Sequence, residues 1–197
     1  MPSIIPIIRS CGGFRVGIRK LWLIDGLTVS DISFDGGIIT GLEKSSDWAE
    51  INFEINSCSL REEKKRIGNS HIISQKIEFS LYGSNQDTLT SLESLNRNGT
   101  IHALLYCNDE KYRYVGIDIE NNVWQHTDLR TSDGKNNTGA GSEDISELTE
   151  SLMAISFAYA PFANESISPL YAPIGDGLQG DDGVNITGDD GNILFGE

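Results

Sequence analysis

Asp118 and Glu120 stand two residues apart in a run of alternating apolar residues, so a strand places both carboxylates on one face. Such a pair has the chemistry to hold a metal for hydrolysis or to share acid–base work. The same letters arise where a strand ends exposed beside a turn, and Glu120-Asn121-Asn122 supplies that turn. The exposed strand end is the favoured reading. The three histidines are His71, His102 and His126, and none sits in an HxH, HExxH or Cys-x-x-Cys context, so spacing defines no zinc site. His102 and Cys107 are five residues apart on one strand and point to opposite faces, which works against a thiolate–imidazole pair. Cys11, Cys58 and Cys107 are odd in number, and each lies in or beside an apolar segment. They read as buried free thiols in a reducing compartment. Trp22, Trp48 and Trp124 could build a sugar platform, but such residues are more often core or interface anchors. There is no Gly-x-Ser-x-Gly, phosphate-binding loop or dinucleotide fingerprint. No catalytic, cofactor-binding or metal-ligating residue is assigned, no cofactor is implied, and the chain is expected not to be an enzyme.

The elements that would position these residues are mostly strands. Arg15–Ile24, Leu27–Phe34 and Ile38–Leu42 are apolar runs separated by Asp25-Gly26 and Asp35-Gly36-Gly37 turns. Trp48–Asn56 alternates cleanly, with Ile51, Phe53 and Ile55 on one face and Glu50, Asn52, Glu54 and Asn56 on the other. In His71–Leu81 the apolar residues again recur every second position. The period then changes, because Leu89, Leu92 and Leu95 share a helical stripe, with Asn98-Gly99 as its stop. One short flanking α-helix is expected at about 85–98. Thr100–Cys107, Lys111–Glu120 and Val123–Thr127 read as further strands. The last strand is Thr149–Phe162, where Met153, Ile155, Phe157 and Tyr159 alternate with smaller residues until Pro161. Two polar stretches are expected to be irregular. The mixed-sign run Arg61–Arg66 reads as a solvated loop or hairpin tip, and Leu129–Glu147 as a long polar loop. The fold class is therefore mainly β.

The chain divides into an Ile-rich arm at 1–13, a β domain at 14–163 and an acidic, glycine-rich extension at 164–197. The arm carries Ile4, Ile5, Ile7 and Ile8 broken by Pro2 and Pro6. It does not have the order of charges expected of a signal peptide, and no stretch has the length of a membrane span. The extension holds two Asp-Asp-Gly triplets, Asp181–Gly183 and Asp189–Gly191, whose spacing does not match a calcium loop. It is expected to be ordered by contact with other chains. The formal net charge of −14 argues against a sequence-independent DNA binder and against an anionic membrane surface. It suits a protein that lies near DNA without adhering to it.

Several segments resemble the tail-tube-fold structural proteins of Bacteroides-type tailed phages, including ring and tail-hub proteins of crAss-like phages. They are Gly17–Asp25, Gly41–Phe53 with Trp48-Ala49-Glu50-Ile51-Asn52-Phe53, His71–Leu81 leading into the leucine stripe, Gly99–Asp118, Thr131–Ser146 and Leu152–Tyr159. The resemblance implies a β-sandwich or barrel with one flanking helix on which Leu89, Leu92 and Leu95 pack. It further implies a virion structural protein forming a homo-oligomeric ring, six- or twelvefold, in the tail or head–tail connector region. DNA would pass through the lumen without specific binding, and the sheet edges could pair between subunits, which would manage their aggregation risk. Its neighbours would be adjacent tail or connector proteins. Its location would be the virion tail, after assembly in the host cytoplasm. The alternative is a carbohydrate-binding β-sandwich module for host recognition.

Overall fold

The computed structural model describes residues 17–54, 56–68, 70–82, 90, 93–94, 99–120, 123–127, 129–137 and 147–170. Thirteen strands are described: β1 Ile18–Asp25, β2 Val29–Asp35, β3 Ile38–Lys44, β4 Ala49–Ile51, β5 Ser59–Ile67, β6 Ser70–Tyr82, β7 Ile101–Cys107, β8 Tyr112–Val115, β9 Ile117–Glu120, β10 Val123–His126, β11 Arg130–Asn137, β12 Glu147–Ser156 and β13 Phe162–Ala163. A first sheet runs β2-β3-β13-β8-β7-β1-β4 and a second runs β11-β12-β6-β5, with β9 and β10 paired as a separate hairpin. The protein is mainly β, as the periodicity requires.

The central strands of the first sheet are buried on both faces, and the alternation of β1 shows how. Leu21 and Leu23 join Ile77, Phe79, Leu105, Leu148 and Leu152 in the layer between the two sheets. Trp22 and Ile24 point the other way, into a second cluster with Leu104, Tyr112 and Tyr114. That cluster also holds Val29 and Ile32 of β2 and Ile39 of β3, from the far end of the same sheet. The first sheet therefore curls until its own end covers its outer face. This explains why β7 reads Ile-His-Ala-Leu-Leu-Tyr with all but its last residues buried: a strand covered on both sides loses its polar alternation.

Four expectations change. The charged run Arg61–Arg66 is solvated as expected, but it forms a strand, paired with β6 from Ser59↔Glu78 to Ile67↔Ser70. Its backbone answers the strong β pattern of β6, and the chain reverses over two residues, with Gly68 at φ +59°. The first half of the polar Leu129–Glu147 stretch is also a strand, β11, held to β12 by backbone pairing. The alternating Trp48–Asn56 segment yields only the three residues of β4. Beyond it the Ser57 amide donates to the Glu54 carbonyl, and Asn56 takes a positive φ of 68°. The helical elements whose extents are described are two 3-10 turns, Gly26–Thr28 and Glu165–Ile167. Within the expected helix at about 85–98, Thr90, Glu93 and Ser94 are helical and exposed, while Leu89, Leu92 and Leu95 lie outside the described residues. So do the arm and most of the acidic extension.

Candidate functional site

Asp118 is not an exposed strand end. It is 3% exposed, and its carboxylate accepts hydrogen bonds from Ser156 Oγ at 3.0 Å, the Phe157 amide at 3.1 Å and the Ile119 amide at 3.0 Å. Three donors occupy its lone pairs, so it serves as the peg that fixes β9 to the end of β12. The Glu120 side chain lies outside the described residues. Among the described residues no group of three or more His, Cys, Asp or Glu side chains has the geometry to hold a metal ion.

The structure brings two of the three histidines together, although they are 24 residues apart. His102 Nε2 is 2.9 Å from His126 Nδ1, and His102 Nδ1 is 2.8 Å from the Tyr114 hydroxyl. His102 is fully buried and His126 is exposed, with the Trp124 ring set edge-on against it at 5.0 Å. Burial, and then the charge of His126, push His102 down to about 3, so it stays neutral in the physiological range. Burial raises the Tyr114 phenol in the opposite sense. His71 is exposed on β6 and takes no part. Cys58 is buried between the sheets, and burial followed by the neighbouring Cys107 pushes its thiol up to about 12. Cys107 is also raised, first by burial, so neither thiol has thiolate character. Cys11 lies outside the described residues.

The second notable surface is on β12, where the larger alternating residues face outward. The smaller residues Leu152, Ala154 and Ser156 face inward, while Met153, Ile155, Phe157 and Tyr159 are 39%, 57%, 65% and 53% exposed. They form a continuous apolar stripe on the outer face of the second sheet and its extension. Beside it lies a cleft of about 500 Å³, lined on one wall by Met153, Ile155 and Phe157 and on the other by His126, Thr127 and Arg130. The stripe ends where the two sheets are tied together. Glu62 of β5 accepts from the Ala160 amide at 2.6 Å and from Arg113 Nη1 of β8 at 3.1 Å, and Arg113 lies over the Phe162 ring at 4.6 Å. The tryptophans pack into or against the second core cluster.

No known protein family, characterised protein or solved structure matches the chain. Among the described residues no helix is long and apolar enough to cross a membrane. Sequence reasoning missed the His102–His126 contact, the Glu62–Arg113 tie and the outward stripe. Only the first left a signal, in that His102 is the one strongly polar residue of an otherwise apolar strand.

Proposed function

We propose that the chain is a bacteriophage virion structural protein of the tail-tube type, which closes into a homo-oligomeric ring around a DNA channel in the tail or connector region. The observation that carries this reading is the stripe Met153-Ile155-Phe157-Tyr159, which exposes large apolar side chains on an ordered sheet. Covering such side chains contributes on the order of 5 kcal/mol per interface, taking about half of each as newly buried. A contact of one surface with a different surface of the next copy closes into a ring when the rotation permits. The charge of −14 supports a lumen that repels DNA rather than binding it. The tryptophans pack into or against the core, which counts against a glycan platform built from them.

The test is the mass of the purified full chain by light scattering over a range of concentrations, with class averages from electron microscopy. Closed rings are expected, dissociating in an Ile155→Ser/Phe157→Ser variant that keeps its circular dichroism. A stable monomer at every concentration, alone and with virion partners, refutes the reading.

A further inference from the structure

The chain Tyr114–His102–His126 has one end in the core and the other at solvent, and its geometry ties the two together. The His102 ring lies in a slot between two glycines. A Cβ on Gly26 would come within 2.8 Å of His102 Cδ2 and Nε2, and one on Gly116 within 2.8 Å of Cδ2. The ring is closely approached on both sides, and in this orientation Nδ1 faces Tyr114 and Nε2 faces His126. Other groups packed nearby are Trp48 against Tyr114, Trp124 against His126, and Thr100 beside Gly26. The charged groups of the cleft that His126 lines are Asp118 and Arg130. Asp118 is occupied by Ser156, Phe157 and Ile119, and Arg130 Nε donates to the Gly99 carbonyl.

A neutral imidazole donates from one nitrogen and accepts at the other. Two arrangements therefore fit the distances when both histidines are neutral. In the first, Tyr114 donates to His102 Nδ1, and His102 Nε2–H donates to His126 Nδ1, so every buried donor has an acceptor. In the second, His126 Nδ1–H donates to His102 Nε2, and His102 Nδ1–H donates to Tyr114. The phenol hydrogen then has no further acceptor among the described residues. A buried donor without a partner disfavours the second arrangement by on the order of tenfold or more.

Protonated His126 carries hydrogen on both nitrogens, so towards His102 it can only donate. We propose that His126 is the input of a proton-direction switch: when its ring gains a proton, the hydrogen-bond chain to Tyr114 reverses and neutral His102 moves its single N–H from Nε2 to Nδ1. The net change is one proton taken from solvent. His126 goes from one N–H to two, His102 keeps one, and Tyr114 keeps its O–H but turns it away from Nδ1. The exchange at His102 requires a local opening in which water reaches both ring nitrogens, one proton arriving at Nδ1 and one leaving Nε2. The device carries a change of surface charge to a core hydroxyl, and in both end states His102 and Tyr114 are neutral. It depends only on the folded chain and not on the ring reading.

The test is nitrogen NMR of the full chain with isotope-labelled histidine, titrated from about pH 8 to about pH 5, the range in which exposed histidines charge. His102 is expected as the Nε2–H form at the upper end and the Nδ1–H form at the lower end, with the same midpoint as His126. In His126→Gln the tautomer is expected to stay Nε2–H throughout. In Tyr114→Phe either tautomer leaves one buried ring nitrogen unpaired, so the high-pH preference should fall from about tenfold or more to near unity. A single His102 tautomer across the wild-type titration, or charging of His102 itself in that range, overturns the proposal.

Discussion

Replacing Glu62 with alanine tests how the two sheets are held at the point where β12 gives way to β13. The carboxylate receives the Ala160 amide at 2.6 Å, Arg113 Nη1 at 3.1 Å and Gln75 Nε2 at a marginal 3.4 Å. The side chains of Glu62 and Arg113 are 13% and 29% exposed. The pair thus lies between a surface ion pair, worth about 0–1 kcal/mol, and a buried one, whose breakage costs about 3–5 kcal/mol. Arg113 retains the Ala160 carbonyl at 3.3 Å and the face of Phe162, so the larger loss is the orphaned Ala160 amide. An unpaired buried donor costs about 1–3 kcal/mol, which places Glu62→Ala at roughly 2–4 kcal/mol. Glu62→Gln keeps an acceptor oxygen for Ala160 and loses the ionic part alone, for about 1 kcal/mol. The assay is urea unfolding at one fixed protein concentration, because any self-association shifts the midpoint. A cycle with Arg113→Ala should return a coupling of about 1 kcal/mol. If Glu62→Ala lies within about 0.5 kcal/mol of wild type, the joint carries no weight. If Glu62→Gln is as damaging as Glu62→Ala, the charge rather than the amide is what matters, and the reasoning fails.

Two further outcomes are expected. His102 is held at about 3 when folded, against 6.5 for the ordinary histidine, so below 6.5 the unfolded chain binds a proton that the folded chain refuses. The stability that neutral His102 contributes is complete above 6.5 and is lost as the pH falls from there towards 3, with a slope approaching about 1.4 kcal/mol per pH unit. Urea midpoints at descending pH check this, and a His102→Gln variant should show a shallower slope by about one proton. Gly116→Ala should lower stability by about 3 kcal/mol or more, because at φ +112° its Cβ would lie 2.7 Å from the Ile101 carbonyl oxygen and 2.9 Å from His102 Cα, both backbone atoms. Gly36→Ala, at φ +57° with open space around it, should cost only about 1–2 kcal/mol, and equal thermal shifts for the two would show that packing at Gly116 is irrelevant.

Most strands were legible because period-two alternation is a local property. β1, β2, β3, β6, β7, β10 and β12 all overlap the segments whose apolar residues announce them. The two unannounced strands, β5 and β11, have almost no apolar residues. Each is paired through its backbone to a strongly patterned neighbour, β6 or β12, and that pairing is a tertiary fact. Asp118 was misplaced for a related reason. Its partners Ser156 and Phe157 are 38 and 39 residues away, and only the topology brings them to it. The His102–His126 contact needs β7 to be covered on both faces and Gly116 to turn the chain, and neither condition is written in the spacing of the histidines.

Alternation reveals that a strand has two faces but not which of them is inside. On β12 the inward positions are Leu152, Ala154 and Ser156, because Ile77 and Phe79 of the neighbouring β6 already fill the layer between the sheets. Larger residues at those positions would overpack it. Met153, Ile155, Phe157 and Tyr159 are thus left 39%, 57%, 65% and 53% exposed on the other side of the strand and its extension. Both edges of the same sheet are unsuited to adding a strand. β5 presents exposed Arg61, Glu63, Lys64, Lys65 and Arg66, and β11 presents Ser132, Asp133, Gly134 and Lys135. Charged and polar edges resist pairing. Edge pairing was one way for copies to join under the ring reading. If the proposed ring forms, the distribution of exposed side chains favours joining through the face of the second sheet, where the apolar area is. Under that geometry the substitutions that break a ring belong on Ile155 and Phe157. Reversing the charges of Lys64 and Lys65 should leave assembly intact, whereas joining through β5 requires the opposite.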